Sequence, residues 1–138
     1  MDRKSLLKKL RKKAEKEQQD ILKNKCWSSE EFSEIMDIPV PSLFEKEKKG
    51  HFFALEENGR KRWPHFQLSE SQKKIPPYFD VVNIYLKEKG FSKWSSYQFW
   101  TVGNPKSKHF PPNIVSLRRG ELKKVLSNVR SWNSHGGK

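Results

Sequence analysis

The stretch ALEENGRKRWPHFQL, from Ala54 to Leu68, places two short β-prone runs on either side of Asn58-Gly59. Asn-Gly is the strongest short hairpin signal because both central positions of a tight turn need positive φ angles. The stretch therefore predicts a β-hairpin whose second arm begins with Arg60, Lys61 and Arg62. Such cations suit contact with phosphates, but they are also typical of a solvated strand edge protected from aggregation.

Two short helices are predicted directly before this hairpin. In SSEEFSEIMDIPVPSLFEKEKKG, Ser28 or Ser29 can cap a first helix whose first turn carries acidic residues. Pro41 suits the first turn of a second helix, which should end near Gly50. Two helices followed by a hairpin predict a winged helix-turn-helix over residues 26–68.

Residues 1–25 hold ten basic and four acidic residues, with leucines at helical intervals. They predict a basic amphipathic helix. Its apolar face can cover a core or a dimer seam, which we favour, and its cations can also serve as a nucleic-acid arm.

The second half of the chain predicts a small helical domain. Residues 69–77 are polar and proline-bearing, as expected of a linker, and residues 78–138 return to helical periodicity. A helix from about Phe79 should stop at Gly90, Ser92 can cap the next one, and two more are expected near Asn113 and from about Glu121. The fold class is thus mostly α with a small β-hairpin: a winged helix-turn-helix joined to a helical C-terminal domain.

Composition limits the possible functions. The chain of 138 residues carries 29 Lys and Arg against 16 Asp and Glu, a net charge of +13, which favours a polyanionic partner. With Cys26 as its one cysteine and four histidines without metal-ligand spacing, we expect no disulfide, metal or cofactor, and no enzymatic activity. Without a bilayer-length apolar run or a signal peptide, we expect a cytoplasmic protein that does not enter a membrane.

Four segments in order carry a family resemblance: SSEEFSEIMDIPVPSLFEKEKKGHFFAL, GRKRWPHFQL, FWTVGNP and PPNIVSLRRGELKKVLSNVRSW. Together they resemble antitoxins of the Xre/MbcA/ParS type, in the branch with an N-terminal helix-turn-helix. The resemblance implies a transcriptional autorepressor whose C-terminal domain binds a RES-class, ADP-ribosyltransferase-like toxin. The residues that match the family's C-terminal pattern are Trp100, Asn104, Pro105, Pro112, Leu117 and Gly120.

From these patterns we expect two contact surfaces and a homodimer. Duplex DNA would be contacted by residues of the second helix and the hairpin: Ser42, Lys46, Lys49, Arg60, Lys61 and Arg62. A cognate toxin would be contacted by residues of the C-terminal domain: Trp100, Asn104, Pro105, Lys106, Lys108, Arg118 and Arg119.

Two features keep alternatives open. Pro39, Val40 and Pro41 open the second helix, where base-reading side chains are expected, and they cannot hydrogen-bond a base edge. Residues 26–68 also carry a net charge of −2, against +9 for residues 69–138. The chain can therefore be a protein-interaction module that lost specific DNA reading. It can also bind RNA or single strands through the aromatic residues between Trp94 and Trp100.

Overall fold

The computed structural model describes residues 2–69, 71, 73–102 and 111–134. Over these residues the chain is mostly helical, with a small three-stranded antiparallel sheet, as the sequence predicts at this level. The elements are α1 (Arg3–Asn24), β1 (Cys26–Trp27), α2 (Ser29–Met36), α3 (Val40–Lys48), β2 (Leu55–Glu57), β3 (Arg60–Pro64), a 3-10 turn (His65–Gln67), α4 (Phe79–Glu88), α5 (Lys93–Thr101), α6 (Asn113–Arg118) and α7 (Leu122–Ser134).

The predicted capping residues and the predicted proline lie at the helix starts where the sequence places them. The Ser28 hydroxyl accepts the Glu31 N–H at 3.1 Å, and the Glu31 carboxylate accepts the Ser28 N–H at 2.9 Å, which forms a capping box. Pro41 lies in the first turn of α3, and Ser92 caps α5. These predictions are confirmed. Caps can be predicted from the sequence because each depends on a residue only three positions away.

The hairpin forms at the predicted turn. Asn58 and Gly59 have φ angles of 51° and 79°, and β2 pairs with β3 from Leu55 opposite Arg62 to Glu57 opposite Arg60. The two-residue strand β1, which the sequence analysis did not predict, pairs with the other side of β3. The cationic strand β3 is therefore the central strand of the sheet.

Two apolar cores lie on either side of an extended segment that precedes and enters β2. Phe52 and Ala54 pack into a first core with residues of α2, α3 and β3, whereas Phe53 and Leu55 pack into a second core with the C-terminal helices. This alternation follows from the two-residue period of extended chain. Residues 52–55 thus join the two cores.

The junction of the cores is also held by polar contacts. The side-chain amide of Gln67, which is fully buried, donates to the carbonyl of Phe53 and accepts the Phe53 N–H, both at 2.8 Å. Asn83 of α4 donates to the Gly50 carbonyl at 2.8 Å and accepts the Trp100 indole N–H at 2.9 Å. These bonds satisfy backbone groups that burial would otherwise leave unpaired.

Helix α1 covers the core only at its last turn. Leu22 is buried and Ile21 packs against the second core, but Leu6, Leu7 and Leu10 remain 50–55% exposed. Residues 3–24 form the expected helix, and its first half does not cover a core of this chain; that its leucines form a dimer seam stays a prediction. None of the described helices is both long enough and apolar enough to cross a membrane.

Candidate nucleic-acid interface

The outer face of α3 brings three of the predicted DNA-contacting residues together. Ser42, Lys46 and Lys49 line one shallow surface depression, which also includes Glu45. Lys46 and Lys49 are exposed, and neither forms an ion pair with any residue that the structure describes. Glu45 faces the neighbouring Lys48 at 3.4 Å, so its charge is partly offset. This face therefore presents an excess of cations to solvent.

The strand β3 lies beside a different face of α3. Val40 and Phe44 line a second depression together with the hairpin residues from Gly59 to Arg62. Because α3 turns 100° per residue, Val40, Phe44 and Glu47 share a side that is roughly opposite to Ser42 and Lys49. The six predicted residues therefore lie on two different sides of α3, three on each.

The Lys61 side chain is only 23% exposed and is paired with two carboxylates of the protein, those of Glu47 and Glu56. Its ammonium group lies 2.7 Å from a Glu47 carboxylate oxygen and 5.5 Å from the centre of the Phe44 ring. Alternation along β3 explains this, because Lys61 lies on the same face of the strand as Trp63, which is fully buried in the first core. Lys61 is thus engaged in an internal ion pair.

Glu47 is the centre of a small charge network that the sequence analysis missed. Its side chain is only 9% exposed, and its second oxygen accepts a hydrogen bond from Lys93 of α5 at 2.9 Å. Burial raises the pKa of Glu47, but the hydrogen bonds from Lys61 and Lys93 outweigh burial, so its pKa lies below the ordinary value. The ionised Glu47 ties α3 to both β3 and α5.

The remaining two cations of the hairpin differ in their surroundings. The Arg62 guanidinium lies 3.2 Å from the Glu57 carboxylate of the paired strand, and both side chains are about one-third exposed. Arg60 is exposed next to the turn and forms no ion pair with the described part of the chain. Arg60 is therefore the hairpin residue best placed to contact a phosphate.

Helix α1 adds a third cationic surface. Residues 3–13 contain seven basic residues and no acidic one, and all of them are exposed. The sequence shows the run of basic residues, but it does not show that their side chains are exposed to solvent, because a helix packed on the core would have buried part of the run. Any polyanion that approaches α1 meets this charge first.

The predicted partner surface lies partly outside the described residues. Asn104, Pro105, Lys106 and Lys108 fall in 103–110, outside the described ranges. Trp100 is fully buried in the second core, so the expectation that it contacts a partner directly is corrected: its large apolar ring fills the core. Arg118 and Arg119 are exposed, and the Arg118 guanidinium donates to the Phe66 carbonyl.

Three of the four aromatic residues proposed as a stacking platform are in the core, and Trp94 is partly buried against it. Tyr97, Phe99 and Trp100 are 8%, 0% and 0% exposed, so their faces are not open to nucleobases. Burial raises the pKa of the Cys26 thiol to about 12, which keeps it protonated. Among the described residues no group of three or more potential metal ligands comes together.

Comparison with known proteins gives one structural likeness. The chain is similar to the protein of a structure described as the NMR structure of Rv2175c, with a TM-score of 0.63 over 78% of this chain and 80% of that one. The two sequences are 13% identical, so the likeness concerns the fold alone. No protein-family model matches the sequence, and no curated protein matches it either.

Proposed function

We propose that the chain is a non-enzymatic, DNA-binding transcriptional regulator that acts as a homodimer and resembles an antitoxin repressing its own operon. Its winged helix-turn-helix would contact duplex DNA, and its C-terminal domain would bind a RES-type toxin. The observation that carries the proposal is the exposed Lys46 and Lys49 on the outer face of α3, which form no ion pair with the described residues; the exposed Arg60 lies at the hairpin turn, beside the other side of the same helix.

Phosphate contacts supply much of protein–DNA affinity, so cations already paired within the protein contribute less. Lys61, Arg62 and Lys48 are paired with Glu47, Glu57 and Glu45, which leaves Lys46, Lys49 and Arg60 as the phosphate contacts of residues 26–68. The basic first half of α1 can add further contacts.

Base reading is expected to be weak. Val40 faces the hairpin and Pro41 offers no hydrogen-bonding side chain, so Ser42 is the first residue of α3 that can bond a base edge. We therefore expect affinity that depends strongly on salt and only modestly on DNA sequence.

The test is the salt dependence of binding to a fluorescent DNA duplex, measured by anisotropy. The double variant Lys46→Ala/Lys49→Ala should lower the slope of log K against log salt by about 2, and Arg60→Ala by about 1. Lys61→Ala is the matched control, because it removes one charge that already faces Glu47. Equal slopes for the Arg60 and Lys61 variants would contradict this assignment of contacts, and no binding at low salt would end the DNA proposal.

A second candidate function is a protein-interaction module that kept the fold. The internal pairing of Lys61 and Arg62 favours it, because these ion pairs stabilise the fold rather than a DNA contact. It predicts that a purified partner still binds when DNA binding is absent, and that Arg118→Ala/Arg119→Ala weakens this partner binding while far-UV circular dichroism shows the variant to be folded. Isothermal titration calorimetry with the partner would distinguish the two candidates.

A further inference from the structure

A cleft of about 420 Å³ lies where the two cores meet. Its apolar lining includes Phe52, Phe53 and Phe91, and its walls come from the end of α3, from α4 and from the start of α5. Cavities of a few hundred cubic ångströms with aromatic linings are typical of small-molecule sites. The size therefore suits a one- or two-ring molecule.

The charges around the cleft favour an anion. Lys48, Lys87 and Lys93 line it, against the single carboxylate of Glu47. Lys93 is held by Glu47 at 2.9 Å, and Lys48 lies 3.4 Å from Glu45, which is outside the cleft lining, so Lys87 is the lining cation left for an anion. Lys87 is exposed and forms no ion pair with residues in the described ranges.

Aromatic rings and cations also lie close enough to act together. The Lys93 ammonium stands 5.4 Å from the centre of the Phe53 ring while it holds Glu47. Phe52 and Phe91 are only 5% and 8% exposed, so a flat apolar body would pack mainly against Ile84, which is 46% exposed, and its acidic group could then reach Lys87 at the opening.

We propose that this cleft is a binding site for a small aromatic organic anion, such as an aryl carboxylate or sulfonate. The site uses no residue proposed above to contact DNA, so it is independent of the proposed function. Binding is measured without DNA, and failure of the DNA proposal would leave the result for the cleft unchanged.

The probe is 8-anilinonaphthalene-1-sulfonate, added to the full chain and followed by its fluorescence. The matched probe is N-phenyl-1-naphthylamine, which has the same ring system without the sulfonate. We expect saturable binding of one molecule of the anionic probe per chain, and binding of the neutral probe weaker by about fivefold or more, as expected from loss of one ion pair. Equal affinity of the two probes would overturn the proposal.

Two variants locate the site. Lys87→Ala should lower the affinity for the anionic probe about fivefold, whereas Lys16→Ala, which removes an exposed charge from α1, should leave that affinity unchanged. Ile84→Trp, at a half-exposed position of the cleft wall, should block both probes. Far-UV circular dichroism and urea midpoints verify that each variant is folded.

Amide NMR shifts of the wild-type chain give a readout that does not depend on any variant. The anionic probe should shift residues around the cleft, from the end of α3 and the start of α5. Equal effects of Lys87→Ala and Lys16→Ala, or shifts confined to the leucines of α1, would assign the probe to another surface and refute the cleft site.

Discussion

Replacing Gly50 by Ala tests how tightly the two cores are joined. Gly50 follows α3 with a φ angle of +81°, a conformation that residues with a Cβ rarely adopt. A Cβ at this position would lie 2.9 Å from the Asp80 carbonyl oxygen and 3.3 Å from the Ile84 side chain. Because Asn83 also holds the Gly50 carbonyl at 2.8 Å, the chain cannot move away without weakening that bond.

Two costs add at this position. The left-handed conformation costs a residue with a Cβ about 1–2 kcal/mol. The contact with the Asp80 backbone forces a shift between α3 and α4, which costs about 1–3 kcal/mol by analogy with overpacked cores. We therefore expect Gly50→Ala to lower the free energy of unfolding by about 2–5 kcal/mol, a large part of a typical total of roughly 5–15 kcal/mol.

Gly90→Ala is the matched control. Gly90 has a similar φ angle of +85° after α4, yet a Cβ there would meet nothing within 4 Å. Its cost should be the backbone term alone, about 1–2 kcal/mol. Urea unfolding followed by tryptophan fluorescence and by circular dichroism measures both variants. If the two variants lose the same stability, the close contact between Gly50 and Asp80 is not a constraint and the reasoning fails.

Three further predictions concern buried polar groups. The pKa of Glu47 is lowered in the folded state, so the ionised carboxylate should stabilise the fold above pH 4.5, and this stabilisation should be lost as the pH falls below that value. In urea titrations at different pH values, Glu47→Gln should make the free energy of unfolding depend less on acid pH. Gln67→Ala should cost about 2–4 kcal/mol, because it leaves the buried Phe53 N–H and carbonyl unpaired, whereas the exposed Gln98→Ala should stay within about 0.5 kcal/mol; urea midpoints compare them. Iodoacetamide at pH 8 should alkylate Cys26 only as fast as the protein opens, since burial raises the thiol pKa to about 12. Mass spectrometry at increasing urea concentrations measures the labelling rate, and fast labelling of the native protein would contradict this prediction.

Signals between close neighbours in the chain predicted much of the local structure. The turn at Asn58-Gly59 and the caps at Ser28 and Ser92 depend on residues no more than three positions apart, so the sequence contains all the information they need. The strand β1 was missed because two residues carry too little pattern, and its pairing with Trp63 and Pro64 is distant in sequence.

The environment of the cations was harder to predict because it depends on distant partners. Lys61 and Glu47 are 14 positions apart, and Lys93 and Glu47 are 46 apart. The alternation of β3 could have shown that Lys61 shares a face with Trp63, but not that a carboxylate would lie there. Trp100 was likewise assigned to a partner surface from a motif match, although its size and apolar neighbours favour the core.

The placement of single charges decides what the net charge of residues 26–68 means. Each of the pairs Glu47–Lys61 and Glu57–Arg62 sums to zero, so the net of −2 is the same without them. The outer face of α3 is nevertheless positive, because Lys46 and Lys49 share it with the single carboxylate of Glu45. A polyanion responds to this local potential rather than to the sum over the segment. A net negative count for residues 26–68 is therefore compatible with a phosphate-binding surface.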